Sequence, residues 1–180
     1  MPNKPVPQEV TVDPKTTALL VLDLNARCES SEERCFQLIE PVAKFLERAR
    51  QANMFIVYSA ADRYRGTPQA RMPHAFKQRD DEPVIFPAAF DKFYSGELQP
   101  MLQKRGVQTV IASGASSNQA VMYTATAAVR PFGYDCVIPV DGLIARGDYE
   151  HEFTLHQFTI LPGGAAQKFK ITTFVQIKIA

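Results

Sequence analysis

The sequence predicts one α/β domain built on a doubly wound, mostly parallel sheet of about six strands with helices on both faces. Short apolar, β-branched runs alternate along the chain with longer segments of helical periodicity, which is typical of a parallel sheet. These runs are nearly continuous in apolar residues, so both faces of the sheet are expected to be buried. The 180 residues fit a single domain, which we place at 16–180, after an extended arm at 1–15.

Composition restricts the partners that the protein can have. Hydrophobic residues make up 46% and charged residues 22% of the chain, with a formal net charge of +1. This balance favours neither disorder nor a nucleic-acid-binding surface, so we expect a small-molecule substrate or ligand. No apolar run approaches a membrane span, and residues 1–10 lack the apolar segment of a signal peptide. We therefore expect a cytoplasmic protein with no membrane and no nucleic-acid partner.

The cysteines agree with that location. The chain contains Cys28, Cys35 and Cys136, which form neither an even disulfide framework nor a CxxC pair. Unpaired thiols suit a reducing compartment. Cys35, on a helix face, and Cys136, inside a strand, are interpreted as core residues.

The first part of the chain predicts an arm and a β-α-β unit. Residues 1–15 include four prolines, so the arm is extended and lies on the surface or on a partner subunit. Residues 17–23 form an apolar run that ends in an aspartate, as a central parallel strand does at its carboxyl end. A helix at 33–52, which Pro41 must kink or restart, leads to a second strand at 54–59.

The remaining chain continues the alternation. After a polar loop at 60–81, the pattern predicts strands at 83–86, 108–113, 135–140 and 171–179 and helices at 96–104, 118–129 and 148–161. Ser95 is expected to cap the first of these helices, and Gly106 to end it.

The segment at 114–130, GASSNQAVMYTATAAVR, is the strand-to-helix junction around which the candidate site is predicted. It joins an apolar strand to a helix that carries no charge before Arg130, so this helix is expected to be buried on most sides. Hydroxyl or amide caps for its start are available at Ser116, Ser117 and Asn118. The free backbone N–H groups of such a helix start can bind an anion or oxyanion.

One candidate site follows from the sheet topology. In an open parallel sheet, ligands bind beyond the carboxyl ends of the central strands. This edge brings together Asp23, the turn at 114–120 and the loop before residue 95. Asp23 is interpreted either as a proton donor or acceptor, or as a carboxylate that caps a neighbouring loop.

Three segments carry a recognisable pattern: TALLVLDLN at 17–25, GELQPMLQKRGVQTVIASG at 96–114, and GASSNQAVMYTATAA at 114–128 followed by GYDCVIPVDGLIA. Together they resemble the isochorismatase-like hydrolases, or cysteine hydrolase family, over nearly the whole chain after residue 16. The resemblance implies a Rossmann-like three-layer sandwich and a catalytic aspartate at Asp23. It also implies an oxyanion hole formed by the amides of Ser116 and Ala120, with a cis peptide between Ala115 and Ser116.

The departures from the family pattern concern the catalytic residues themselves. The nucleophilic cysteine of the pattern falls on Ala120, and a methyl group cannot attack a carbonyl carbon. The family's lysine falls near Pro87, and the nearest ammonium is Lys92, which either replaces that lysine or is a solvated surface residue. Ser117 either caps the helix or replaces the nucleophile. Asn25 stands where the family usually has Gln.

Two further residues are candidates at the pocket. Cys28 lies in the stretch that lines the pocket in relatives, so it is either a thiolate beside Lys92 or an inert buried residue. Tyr123, together with Phe90 and Phe93, would fill the cavity of a protein that only binds.

No metal or other cofactor is expected. Nicotinamidases place an acid and two histidines after the second strand, whereas this chain offers only Asp62 and His74 there, and a catalytic zinc normally needs three protein ligands. His151 and His156 lie five apart on a helix and would not share a face well.

Two functions remain open at this stage. The first is a hydrolase-related enzyme that acts on a small molecule through Asp23. The second is a catalytically inactive family member that serves as a ligand-binding protein or an oligomeric scaffold. A homo-oligomer is expected in both cases, because the uncharged helix and the proline-rich arm could face partner subunits.

Overall fold

The computed structural model describes residues 4–180 and contains a parallel sheet of seven strands. The strands of the described chain are β1 (Val10–Val12), β2 (Thr17–Leu22), β3 (Phe55–Ser59), β4 (Val84–Ile85), β5 (Thr109–Ala115), β6 (Asp135–Pro139), β7 (Leu143–Ile144), β8 (Phe169–Thr172) and β9 (Ile177–Ile179). The main sheet has the order β4-β3-β2-β5-β6-β8, and β7 pairs with the end of β5. All of its pairings are parallel. The predicted doubly wound fold is confirmed.

Helices cover both faces of the sheet. They are α1 (Ile39–Gln51), α2 (Leu98–Lys104), α3 (Met122–Val129) and α4 (Asp148–Ile160). Leu20 and Leu22 of β2 point into the core that α2, α3 and α4 cover. Leu19 and Val21 point into the opposite core, which α1 covers. Successive strand residues face opposite sides, so β2 is apolar throughout because both of its faces are buried.

The strand count differs from the prediction at three places. Val10–Val12, within the predicted arm, is a short strand. Leu143–Ile144 forms an additional short strand beside β5. The segment predicted as one closing strand at 171–179 is interrupted by a 3-10 turn at Phe174–Gln176. Its second half, β9, leaves the main sheet and pairs with β1, so the described part of the arm, residues 4–15, is joined to its own domain. Residues 1–3 lie outside the described residues.

Helix boundaries follow proline and glycine as expected, but one cap does not form. The segment predicted at 33–52 divides into a 3-10 turn, Arg34–Leu38, and α1, which begins two residues before Pro41, where the missing N–H costs no helical hydrogen bond. Gly106 follows α2 with a left-handed φ of 63°. Ser95 does not cap α2, because Glu97 takes the cap position and the Ser95 hydroxyl donates to that carboxylate instead.

The cysteine prediction is wrong for two of the three residues. Cys28 and Cys35 form a disulfide, with their Cα atoms 5.2 Å apart. Two 3-10 turns, Ala26–Glu29 and Arg34–Leu38, fold against each other and bring the two side chains together. Cys136 remains a buried thiol in β6, and burial raises its pKa. The argument for a reducing compartment from unpaired cysteines therefore fails.

Within residues 4–180, none of the helices is both long and apolar enough to cross a lipid bilayer.

Candidate active site

The carboxyl ends of β2 and β5 open into a cavity of about 1110 Å³. Residues of the predicted site that line it are Asp23, Asn25, Lys92, Ala115, Ser116, Asn118 and Ala120. Three stretches that are far apart in sequence thus meet at one edge of the sheet, as the parallel topology requires. Ser117, Cys28 and Tyr123 were predicted at this site but are not among the lining residues.

Asp23 is held at the cavity by contacts on its backbone and on both carboxylate oxygens. It follows the last residue of β2 with a left-handed φ of 56°, a conformation that aspartate tolerates better than most residues. Its backbone N–H donates to the carbonyl oxygen of Ser59 at 3.0 Å. The Ser59 hydroxyl donates to Asp23 Oδ1 at 2.9 Å, and Lys92 Nζ donates to Oδ2 at 2.8 Å.

Lys92 is directed inward, not into solvent. Its side chain is only 1% exposed, against 18% for Asp23. Nζ also donates to the carbonyl oxygen of Ala89 at 3.3 Å, and the Lys92 backbone N–H donates to Thr124 Oγ1 at 3.1 Å. These contacts fix the lysine between its own loop and α3, so it pairs with Asp23 although it lies five positions after Pro87.

The turn after β5 brings the backbone to the cavity. Gly114 has a φ of 142°, and a Cβ atom there would lie 2.0 Å from the carbonyl oxygen of Leu22, so only glycine permits this approach of β5 to β2. The peptide bond between Ala115 and Ser116 is cis, as the resemblance implies.

A π-helical turn, Ser117–Val121, follows, and it determines which side chains face the cavity. Ala120 lines the cavity, whereas Ser117 is fully buried on the other side. Neither serine of the turn caps the helix through its side chain, which corrects the predicted capping. Asn118 lines the cavity, and its buried Oδ1 atom has no hydrogen-bond partner within the described residues.

Ser117 has a partner that the sequence did not reveal. Its Oγ lies 3.4 Å from Nδ1 of His151 on α4. Burial lowers the pKa of His151, against the opposing effect of the nearby Asp148 and Glu152 carboxylates. Since Ser117 does not line the cavity, this contact joins α4 to the turn and does not present a nucleophile to a substrate.

The sequence matches the family model of the isochorismatase domain over residues 17–168. The chain belongs to the isochorismatase family. The uncharacterized isochorismatase family protein YwoC of Bacillus subtilis (strain 168) is 24% identical to it over 166 residues, which cover 81% of this chain and 87% of the relative.

Solved structures show the same fold. A cysteine hydrolase from Pseudomonas syringae pv. phaseolicola 1448A superposes with a TM-score of 0.78 at 18% identity, covering 97% of this chain and 96% of the other. N-carbamoylsarcosine amidase from Thermoplasma acidophilum gives a TM-score of 0.71 at 20% identity, covering 88% of this chain and 96% of the other.

The aromatic residues of this isochorismatase-family protein do not fill its cavity. Tyr123 is 51% exposed and stacks on Phe90, with ring centroids 6.0 Å apart, outside the cavity lining. Phe93 packs in the core against Phe132 and Tyr134. Of these three residues, Phe90 alone is among the residues that line the cavity, and Tyr64 also lines it.

The other predicted pocket residues have structural roles. Asn25 is buried, and its Oδ1 accepts a hydrogen bond from the backbone N–H of Arg27 at 3.3 Å at the start of a 3-10 turn. Asn25 therefore shapes the turn after Asp23 while it lines the cavity. Cys28 is not a free thiolate, because its sulfur is bonded to Cys35.

Cationic side chains around the cavity were missed by sequence reasoning. Four arginines line it: Arg27, Arg34, Arg63 and Arg146. Arg27 pairs with Glu33 at 2.8 Å, and Arg34 lies 3.6 Å from Asp148. Three of the four lie outside the polar loop at 60–81. The short strand β7 and the disulfide-linked turns carry these three to the cavity, and neither feature was predicted.

The two possible metal ligands of the loop after β3 have other partners. Asp62 pairs with Arg65 at 3.0 Å, and His74 Nδ1 lies 2.8 Å from Glu29. Within the described part of the chain, no three His, Cys, Asp or Glu side chains are placed to share a metal ion.

Proposed function

We propose that this protein is a hydrolase that acts on a small molecule by proton transfer at Asp23, without a covalent enzyme intermediate. The observation that carries the proposal is the Asp23 carboxylate at an open cavity, with Lys92 2.8 Å from one oxygen and Ser59 2.9 Å from the other. A buried ammonium beside a strand-end carboxylate is costly to maintain for stability alone. It is therefore a candidate for chemistry.

Asp23 acts as a general base in this scheme. Its carboxylate takes a proton from a water molecule in the cavity. The same carboxyl group then returns the proton to the leaving group. Ser59 and Lys92 hold the two oxygens so that the carboxylate keeps one orientation through the cycle.

The turn after β5 stabilises the developing negative charge. By family resemblance, the backbone N–H groups of Ser116 and Ala120 are the donors for an oxyanion. Preorganised donors of this kind typically contribute about 10²-fold or more to the rate.

Water must be the attacking group, because the residue types at the cavity supply no activated nucleophile. Ala120 ends in a methyl group, Ser117 faces α4, and Cys28 is bonded to Cys35. A hydrolysable bond activated by protonation or by the oxyanion donors is consistent with these residues. The amidase among the structural neighbours supports an amide-like bond, and an enol ether remains the second candidate.

The arginines favour an anionic substrate. Arg63 and Arg146 line the cavity together with Arg27 and Arg34, and guanidinium groups bind carboxylates through paired hydrogen bonds. A carboxylate on the substrate would be oriented by one of these groups while the reacting bond lies beside Asp23.

The test is hydrolysis of a panel of small carboxylate-bearing amides, ureido compounds and enol ethers, followed by mass spectrometry. We expect turnover of at least one compound by the native chain and a loss of about 10²-fold or more in Asp23→Asn. The exposed Asp81→Asn is the matched control and should keep full activity. If the native chain binds panel compounds but turns over none of them, the inactive ligand-binding alternative is correct.

A homo-oligomer is proposed with either function. Its support is the group of exposed aromatic side chains beside the cavity and on α4: Phe90, Tyr123, Tyr149 and Phe153. Sedimentation of the purified chain measures the state directly.

A further inference from the structure

The cavity wall contains a disulfide that neither the family resemblance nor the proposed reaction uses. Cys35 lines the cavity and Cys28 does not. Both side chains are otherwise buried, with 3% exposure at Cys35 and 0% at Cys28. The two residues therefore differ in one respect that matters for chemistry, because Cys35 borders the cavity and Cys28 does not.

We propose that the Cys28–Cys35 disulfide is a thiol-reactive redox site that small-molecule thiols reach through the cavity, with Cys35 Sγ as the atom attacked. This inference does not depend on the proposed hydrolase activity. It assigns a reversible covalent modification site to a cavity wall that would otherwise only bind substrate.

The exchange is balanced in atoms and electrons. The thiolate of a small-molecule thiol attacks Cys35 Sγ and forms a new S–S bond, while the bond to Cys28 breaks and its electron pair goes to Cys28 Sγ. Cys28 then takes a proton from water. A second small thiol attacks the mixed disulfide and releases the oxidised small molecule, so the protein gains two thiols and two small thiols become one disulfide.

Charge near Cys35 does not exclude a thiolate. The flanking acids Glu32 and Glu33 line the cavity, but so do Arg27 and Arg34. Glu33 is paired with Arg27 at 2.8 Å. The guanidinium groups offset the acids, so an anionic thiol such as glutathione meets both signs of charge as it approaches Cys35.

The disulfide also tethers residues that form the cavity wall. The bond joins positions 7 apart in sequence, and Glu32, Glu33 and Arg34 lie between them or beside Cys35 and line the cavity. Exchange at Cys35 would place a new group in the cavity and remove the covalent tether from this segment. The redox state therefore changes the same wall that a substrate would contact.

The first experiment treats the full folded chain with reduced glutathione and with 2-mercaptoethanol, followed by acid quenching, alkylation and peptide mapping. We expect the mixed disulfide on Cys35 in about tenfold or greater excess over Cys28, formed well before global unfolding under the same conditions. A bulky protein thiol should react about tenfold more slowly, because it cannot enter the cavity.

Three results would overturn the proposal. The first is alkylation of all three cysteines in unreduced, denatured protein, which would mean that the disulfide does not form. The second is an equal amount of mixed disulfide on Cys28 and Cys35. The third is exchange that proceeds only at the rate of global unfolding. The last result would make the bond a structural crosslink that solvent thiols do not reach.

A pair of variants gives an independent measurement. Cys28→Ser leaves a thiol on Cys35, which lines the cavity, and Cys35→Ser leaves a thiol on Cys28, which is fully buried. Iodoacetamide should label the first variant about tenfold faster than the second, and Cys136→Ser serves as the control with the disulfide intact. Equal labelling of folded Cys28→Ser and Cys35→Ser contradicts the proposal. If neither variant folds, the glutathione experiment on the native chain decides alone.

Discussion

Replacing either member of the Asp23–Lys92 pair should destabilise the fold by a different amount. At 2.8 Å, two unit charges attract by about 6 kcal/mol at an effective dielectric constant of about 20, and desolvation offsets part of this energy. Removal of one partner leaves the other buried without a countercharge, which typically costs about 3 to 5 kcal/mol.

The exposed fractions decide which replacement costs more. Asp23→Asn leaves an ammonium that is 1% exposed, whereas Lys92→Met leaves a carboxylate that is 18% exposed and still accepts from Ser59. We therefore expect losses of about 4 kcal/mol for Asp23→Asn and about 3 kcal/mol for Lys92→Met. The double variant should lose about 2 kcal/mol less than the sum of the two.

Urea unfolding of the four proteins at neutral pH measures these free energies. Lys168→Met is the matched control, because its pair with Asp135 is exposed and 3.6 Å long and should contribute less than about 1 kcal/mol. Single losses below about 1 kcal/mol that simply add in the double variant would refute a buried, coupled pair.

Three further predictions concern stability elsewhere. Cys28→Ala/Cys35→Ala opens a short loop whose ends are 7 positions apart, so it should lose about 2.5 kcal/mol in urea unfolding, and an unchanged midpoint would contradict the crosslink. Gly114→Ala, whose methyl group would lie 2.0 Å from the Leu22 carbonyl oxygen, should lose about 3 kcal/mol or fail to fold. Gly106→Ala, in open space at a φ of 63°, should lose only about 1 kcal/mol. The hydrogen bond from Arg71, helped by the His74 backbone N–H, lowers the pKa of Glu29 from 4.5 to about 2. Because the pKa of Glu29 is lower in the folded state, its ionisation stabilises the fold fully above about pH 5, and this stabilisation disappears towards pH 2. Discounted for the exposure of the side chain, it amounts to about 1 kcal/mol. Glu29→Gln should therefore flatten the dependence of the unfolding free energy on pH between these values.

Most of the fold could be predicted from the sequence, because local residue patterns specify the main strands and helices. Nearly continuous apolar runs at β2, β5 and β6 identify strands buried on both faces, and Pro41 and Gly106 mark a helix start and a helix end. Strands β1 and β7 were missed because two or three residues carry too little periodicity to distinguish a strand from a loop. Strand β9 lies inside the predicted closing strand, and only the break before it at Phe174–Gln176 was missed.

The segments that form the site could be predicted from sequence, because sheet topology places them. The directions of their side chains could not be predicted. Parallel strand ends converge, so Asp23 and the turn at 114–120 could be placed together from sequence. The direction of Lys92 depends on a loop anchored to Thr124, and the rotation of Ser117 away from the cavity depends on the π-helical turn. Ser59 had a readable signal, since it is a polar residue at the end of the strand next to β2.

The disulfide could not be derived from the sequence for a physical reason. Bridging needs Cα atoms within about 7 Å and side chains that point together, and the distance between Cys28 and Cys35 is set by how two 3-10 turns fold against each other. Counting three cysteines suggests an unpaired set, whereas the tertiary contact pairs two and buries the third.

The central claim is that Asp23 performs the proton transfer and that no protein atom becomes bonded to the substrate. Its most direct measurement is intact-mass analysis of the native chain during turnover of a panel compound, quenched in parallel with Asp23→Asn and Ala120→Cys. We expect an unmodified mass for the native chain at every time point, about 10²-fold slower turnover in Asp23→Asn, and an acyl adduct only in Ala120→Cys if the substrate is an amide. An adduct on the native chain, or full turnover by Asp23→Asn, would contradict it.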